Sequence, residues 1–95
     1  MFGAMIRGTR GMVATKGFRT GDAIHRLCGR LTAFPTTDTL AVDHATHIND
    51  PRVRWVRPSE TPTAVVLNGT IYAKTTIRVG DEVTVPAAQK PKPTA

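Results

Sequence analysis

The sequence predicts a small, mostly β domain of about six or seven short strands with little helix. Asn68-Gly69 separates two runs rich in β-branched residues, and this dipeptide accepts the positive φ angles of a type I′ hairpin turn. The segment RVRWV alternates basic and apolar residues, which is the period of a half-buried strand. A pattern of Ala, an apolar residue, Arg, Gly and Asp occurs twice, in residues 14–24 and 73–83.

The length and the cysteine content restrict the class of protein. A chain of 95 residues has enough apolar surface for one core, so we expect a single domain. The single cysteine, Cys28, excludes an internal disulfide and a Cys-based metal site. No apolar run approaches the roughly 20 residues of a membrane helix, so we expect no membrane span. An intracellular or virion-associated protein is favoured over a secreted one.

The charge balance favours anionic partners. Thirteen Lys and Arg against seven Asp and Glu give a net charge of +6, which suits nucleic acid, acidic protein or anionic lipid, although solubility alone also explains it. The first acid is Asp22, and such a start is superficially like a mitochondrial targeting segment. Gly3, Gly8 and Gly11 weaken the helix that such a segment needs. We therefore interpret residues 1–10 as a basic N-terminal arm.

Each copy of the repeated pattern predicts the same local structure. The small Ala suits a close approach of two backbones, the apolar residue is a core residue, and Gly-Asp forms a tight turn that leads into a strand. Two copies are too few for a solenoid. A closed or folded-over β domain with two related turns is the resulting interpretation, and residues 11–85 are its predicted extent.

The segments between and after the two copies are less regular. Residues 35–50 carry only a short apolar patch, which predicts a helical turn or an irregular crossing segment. Strands are predicted near residues 63–67 and 70–74 on either side of the Asn-Gly turn. Residues 86–95 are rich in Pro and Lys, so this tail is predicted to be extended and mobile on its own.

Three segments resemble the SET domain, the fold of most protein-lysine methyltransferases. RGMVATKGFRTGDAI is similar to its opening, HINDPRVRWV to its Asn-His-Ser-x-x-Pro-Asn segment, and IYAKTTIRVGDEVTV to its closing element. The resemblance covers roughly residues 7–85. It implies a small SET-like β-clip, a fold that some phage head-decoration proteins also use. If S-adenosylmethionine were bound, the resemblance places four residues at it: Gly11, Val13, His47 and Tyr72.

The departures from the family pattern concern its chemistry. Thr46, Ile48 and Arg52 stand where the family has Asn, Ser and Asn, and His47 alone matches. The catalytic Tyr of the family is expected near Ala87, where no Tyr stands. Its hydroxyl would help to orient and deprotonate the lysine amine. We therefore expect no catalytic residues, no cofactor and no resident metal.

Two groups of side chains are candidates for binding a metal ion or a nucleic acid. Asp43, His44, His47 and Asp50 could ligate a divalent metal, but turn capping explains them better. Trp55 lies among several arginines and could stack on a base, yet the alternation turns its ring inward, so nucleic acid is not favoured. Protein neighbours are the preferred partners, and homo-oligomerisation stays open. The candidate partner-binding residues are Arg7, Arg10, Arg52, Arg54, Arg57, Lys90 and Lys92.

Two hypotheses of function remain. The first is a non-catalytic SET-like β module that serves as a small structural or accessory subunit of a larger assembly, with a virion or capsid as the best candidate. The alternative is a minimal S-adenosylmethionine-dependent protein-lysine methyltransferase. Under the first hypothesis, deletion of residues 1–10 and of the tail would abolish incorporation and leave the domain folded.

Overall fold

The prediction of a mostly β domain is confirmed by the computed structural model, which describes residues 5–8, 11–43 and 45–91. The described residues form ten short strands in four small sheets and two short 3-10 helices. Ten strands exceed the six or seven predicted. The Cα radius of gyration is 12.0 Å, close to the value of about 13 Å expected for a compact domain of this length.

The four sheets pair both consecutive strands and strands that are distant in sequence. In the first sheet, β1 (Met5–Arg7) pairs antiparallel with β2 (Met12–Ala14). The second sheet has the order β3 (Ala23–Arg26), β9 (Thr70–Ala73) and β8 (Ala64–Leu67). The third has the order β4 (Arg30–Thr32), β6 (His47–Asn49) and β5 (Thr39–Ala41). In the fourth, β7 (Arg57–Ser59) and β10 (Thr84–Pro86) are parallel.

The two copies of the repeated pattern contact each other through reciprocal hydrogen bonds. Phe18 N–H donates to the Ile77 carbonyl at 2.8 Å, and Ile77 N–H donates to the Phe18 carbonyl at 2.9 Å. Gly80 N–H donates to Ala14 and Gly21 N–H to Ala73, both at 2.8 Å. Each of these bonds thus has its counterpart in the other copy, which gives this part of the domain local pseudo-twofold symmetry.

Each Gly-Asp pair forms the predicted tight turn. Gly21 and Gly80 have φ angles of 92° and 88°, a left-handed region that a residue with a Cβ adopts only with strain. The carboxylate of the Asp that follows each glycine closes the turn: Asp22 Oδ2 accepts from Arg19 N–H at 2.8 Å, and Asp81 Oδ2 accepts from Arg78 N–H at 2.9 Å. The pattern therefore recurs because one turn geometry is built twice.

The hairpin prediction is confirmed. Strands β8 and β9 pair antiparallel with Leu67 opposite Thr70. Asn68 and Gly69 between them have φ angles of 51° and 77°. Positive φ at both central positions is the signature of a type I′ turn.

The core is built from the inward faces of the small sheets. Leu40, Ile71, Val53, Val83 and Val85 have no exposed surface. Both alanines of the repeated pattern and both of its apolar residues are buried as well: Ala14, Phe18, Ala73 and Ile77. These burials agree with the roles that the pattern predicted.

Two predictions of local structure are wrong. RVRWV is not a strand, because Pro51–Val53 form a 3-10 helix that Asp50 caps by accepting a hydrogen bond from Arg52 N–H at 3.0 Å. An N-cap followed by Pro overrides the short alternation. Residues 35–50 are not an irregular crossing segment, since they contain β5 and β6. These strands pair antiparallel, with Leu40 opposite Ile48.

Both ends of the described chain pack on the domain. In β1, Met5 is buried, so part of the predicted arm belongs to the core. Deletion of residues 1–10 would therefore remove a strand and the buried Met5 side chain from the domain. At the other end, Ala87–Gln89 form a 3-10 helix, not an extended tail. The Gln89 amide explains this: its Nε2 donates to Val66 O at 2.7 Å and its Oε1 accepts from Val66 N–H at 2.8 Å.

Within the described part of the chain, no helix has the length and apolar character needed to cross a membrane.

Candidate functional site

A pocket of about 210 Å³ lies between β1, β2 and the 3-10 helix that follows Asp50. We call it the Trp55 pocket. Its walls are apolar and aromatic, its rim carries two guanidinium groups, and one imidazole faces it. The lining residues are Met5, Ile6, Arg7, Met12, His25, Pro51, Arg52 and Trp55. None of them is acidic, so the pocket has a cationic rim around an apolar wall.

Trp55 is exposed at this pocket, contrary to the inward orientation predicted from alternation. Its exposed fraction is 41%. The Arg7 guanidinium carbon lies 3.9 Å from the centroid of the indole ring, which is within the range of a cation–π contact. Because the turn after the 3-10 helix replaces the predicted strand, Val53 and Val56 fill the core positions and Trp55 points outward. The structure therefore removes the argument that had disfavoured stacking on Trp55.

A buried hydrogen bond between a histidine and a carboxylate lies behind the pocket. His25 Nε2 is 2.8 Å from Asp50 Oδ2, and the two side chains are 8% and 1% exposed. Asp50 also accepts hydrogen bonds from Cys28 N–H and Arg52 N–H, both at 3.0 Å. Burial alone raises the pKa of the Asp50 carboxyl, but these hydrogen bonds and the nearby His25 outweigh burial and hold the pKa below its ordinary value. Asp50 is thus ionised, and His25 Nε2 is the donor.

The predicted partner-binding residues do not form one cluster. Arg7 and Arg52 are at the Trp55 pocket. Arg54 is nearby, with its guanidinium carbon 5.9 Å from the indole centroid and its Nε 3.1 Å from Asp38 Oδ1. Arg57 makes a bidentate pair with Glu82 at 2.7 and 2.9 Å. These bonds and the charge of Glu82 raise the pKa of Arg57 above its usual value. Arg10 and Lys92 lie outside the described residues.

Lys90 contacts its own chain. Its Nζ donates to the carbonyls of Thr37 at 2.8 Å and Val53 at 2.9 Å. Burial lowers the pKa of this amino group to about 8, while Asp38 opposes the shift and Arg54 adds to it. In this conformation Lys90 fastens the C-terminal segment to the domain and is not available to a neighbour.

The four predicted cofactor residues lie in different parts of the fold. Gly11 is buried, and a Cβ at this position would come within 2.6 Å of Glu82 Oε2. Val13, His47 and Tyr72 lie on β2, β6 and β9, in three different sheets. None of the four lines the Trp55 pocket.

The proposed metal cluster also does not form among the described residues. They contain no group of three or more His, Cys, Asp or Glu side chains that could hold a metal ion, and His44 lies outside them. Asp50 instead pairs with His25. Sequence reasoning missed His25, since no local pattern marks it. For Asp50 a signal existed, because an acid directly before Pro is typical of a helix N-terminus.

No family model matches this chain, and no curated protein matches its sequence.

Proposed function

We propose that this chain is a non-catalytic β module that serves as a small structural or accessory subunit of a larger assembly. In this proposal it contacts an acidic protein neighbour through the surface around the Trp55 pocket. Among such assemblies we propose a virion, by analogy of the SET-like β-clip with phage head-decoration proteins. That part rests on fold analogy alone.

The contact between Arg7 and Trp55 supports the docking surface most strongly. Arg and Trp are enriched among the residues that dominate protein interfaces. The guanidinium lies over the ring at 3.9 Å, so a partner carboxylate that pairs with Arg7 would meet an aromatic wall at the same point. Within the described residues Arg7 has no ion pair. Its charge is therefore available to an acidic neighbour.

The size and the side chains of the pocket favour a protein contact over catalysis. Its volume of about 210 Å³ is below the roughly 300–1,000 Å³ of typical small-molecule sites. The single Tyr of the chain, Tyr72, is in the middle of β9 with Val65 as its cross-strand neighbour. No Tyr stands near Ala87, where the resemblance to SET domains expects the catalytic hydroxyl.

Intrinsic fluorescence tests the docking surface, because Trp55 is the only tryptophan. We expect a glutamate-rich synthetic peptide to change the Trp55 emission saturably. Arg7→Gln should weaken this response at least fivefold, whereas Arg26→Gln, an equal loss of charge on the exposed end of β3, should not. An absent response, or equal loss in both variants, contradicts the proposal. A stronger response to a single-stranded oligonucleotide would indicate that the partner at this surface is a nucleic acid and not a protein.

One observation favours the alternative of a minimal methyltransferase. His47, the residue that matches the family pattern, is 6% exposed, and its Nδ1 has no hydrogen-bond partner among the described residues. Calorimetric titration with S-adenosylhomocysteine tests this alternative. Saturable binding near one site per chain, weakened by His47→Ala, would support it. A folded sample that releases no heat would leave the non-catalytic module as the proposal.

A further inference from the structure

We propose a second docking surface, the groove between the two Gly-Asp turns, which would bind an extended segment of an acidic protein with carboxylates two residues apart. We call it the turn groove. It has a volume of about 470 Å³ and is lined by residues of both copies of the repeated pattern, among them the equivalent pairs Phe18/Ile77 and Arg19/Arg78 and the single acid Asp22. It shares no lining residue with the Trp55 pocket, so this surface is independent of the function proposed above.

The pairing of the two copies fixes where the side chains of the groove point. Phe18 and Ile77 are paired antiparallel and are 4% and 1% exposed. In extended backbone, the side chains of successive residues point to opposite faces. Arg19 and Arg78 therefore project outward, and both are exposed. Gly17 stands opposite Arg78 in this register and has no side chain, which leaves the floor of the groove open.

The spacing of the two guanidinium-bearing residues matches a strand. In an antiparallel pair with Phe18 opposite Ile77, Arg19 and Arg78 are diagonal neighbours, and such Cα atoms are about 7–8 Å apart. In an extended peptide, side chains two residues apart lie on one face with a separation of about 6.6 Å. An acid-x-acid segment thus presents two carboxylates at nearly the spacing of the two arginines.

The charges in the groove are also complementary to such a segment. The carboxylates of Asp22 and Asp81 accept hydrogen bonds from the backbone N–H groups of Arg19 and Arg78. Neither guanidinium has an ion pair among the described residues. Two like charges this close repel each other, and carboxylates bound between them would relieve the repulsion. Lys16, whose Nζ is 5.6 Å from the Phe18 ring centroid, adds a third cation nearby.

The groove favours a peptide over nucleic acid. Sequence-independent binding of single strands relies on exposed aromatic rings on which bases stack. The aromatic residue of the groove, Phe18, is only 4% exposed. By contrast, Val79 on the wall of the groove is 68% exposed, and it offers apolar contact to a neighbouring side chain of an acidic segment.

Amide NMR spectra of the full chain test the proposal. The probe is a capped Gly-Glu-Val-Glu-Gly peptide, and the control peptides are Gly-Gln-Val-Gln-Gly and Gly-Glu-Glu-Val-Gly, in which the acids face opposite sides. We expect the probe to shift the amides of Gly17 and Val79 saturably, with a Kd at least fivefold lower than that of either control. The variant Arg19→Gln/Arg78→Gln should raise the Kd at least tenfold.

A matched variant separates specific contact from net charge. Arg26→Gln/Arg30→Gln removes the same charge from exposed positions outside the groove and should change the Kd by less than twofold. Equal weakening by both double variants would overturn the proposal, as would the absence of shifts at Gly17 and Val79. Larger shifts at these amides with a thymidine oligonucleotide than with the probe would also overturn it. Shifts confined to the Trp55 indole would assign the peptide to the other surface and overturn the turn groove.

Discussion

The imidazole of His25 and the carboxylate of Asp50 lie 2.8 Å apart and are almost completely buried. His25 belongs to β3, while Asp50 directly precedes the 3-10 helix behind the Trp55 pocket. Since Asp50 also binds the backbone N–H of Cys28, one carboxylate connects three segments of the chain. These hydrogen bonds hold the rear wall of the proposed docking surface.

Replacement of Asp50 should destabilise the domain strongly. Asp50→Ala removes the acceptor of two backbone N–H groups and of His25 and leaves these donors buried. We expect the free energy of unfolding to fall by about 3 kcal/mol, measured by urea denaturation at pH 7. Glu60→Gln, an exposed carboxyl on the surface, should change it by less than about 0.5 kcal/mol. A change of that small size in Asp50→Ala would contradict the structural role of the Asp50 carboxylate.

The same carboxylate predicts a loss of stability in acid. The folded-state pKa of Asp50 is lowered from its ordinary value of 3.8, so the folded state favours the ionised form. Its contribution is complete above pH 3.8 and disappears as the pH falls through the lower folded pKa. The free-energy difference between wild type and Asp50→Asn should therefore shrink below about pH 4. A difference that stays constant down to pH 2 would show that folding does not lower the pKa of Asp50.

The Lys90 amino group predicts a gain of stability in alkali. Burial lowers the pKa of Lys90 to about 8 from 10.5, so between these values the unfolded chain binds more protons than the folded one. Stability from this group should rise as the pH increases from 8 to 10.5. Lys90→Met should remove this rise, while Lys74→Met on the exposed surface should retain it. The Lys90 side-chain signals in NMR should titrate near pH 8, and titration above pH 10 would refute the prediction.

The left-handed glycines of the two turns should be difficult to replace. Gly21→Ala and Gly80→Ala force a Cβ into φ angles near 90°, although space is free around both positions. Each should reduce the free energy of unfolding by about 1–2 kcal/mol. Gly17→Ala is the control, since its φ is not in this region and its Cβ would meet only an ordinary contact at 3.6 Å. Equal effects at Gly17 and Gly80 would exclude backbone strain as the cause.

The features predicted from sequence are those with local causes. Asn68-Gly69 determines its own turn through positive φ angles, and the Gly-Asp turns depend on residues three positions apart. The strand predicted for RVRWV does not form, because the helix cap at Asp50 outweighs an alternation of only five residues. His25 and Asp50 are 25 residues apart, and nothing near either one encodes the other. The Trp55 pocket depends on these distant contacts, which explains why its position could not be predicted.

The mutual pairing of the two copies also sets the order of events during synthesis. Phe18 leaves the ribosome early but gains its backbone partner only when Ile77 follows. Bringing distant segments together requires loop closure, which lowers the folding rate as contacts become less local. Until then the apolar residues of the first copy stay exposed to other chains. A nascent chain interrupted before residue 73 therefore lacks the whole second copy, and the apolar residues of its first copy would remain exposed to aggregation.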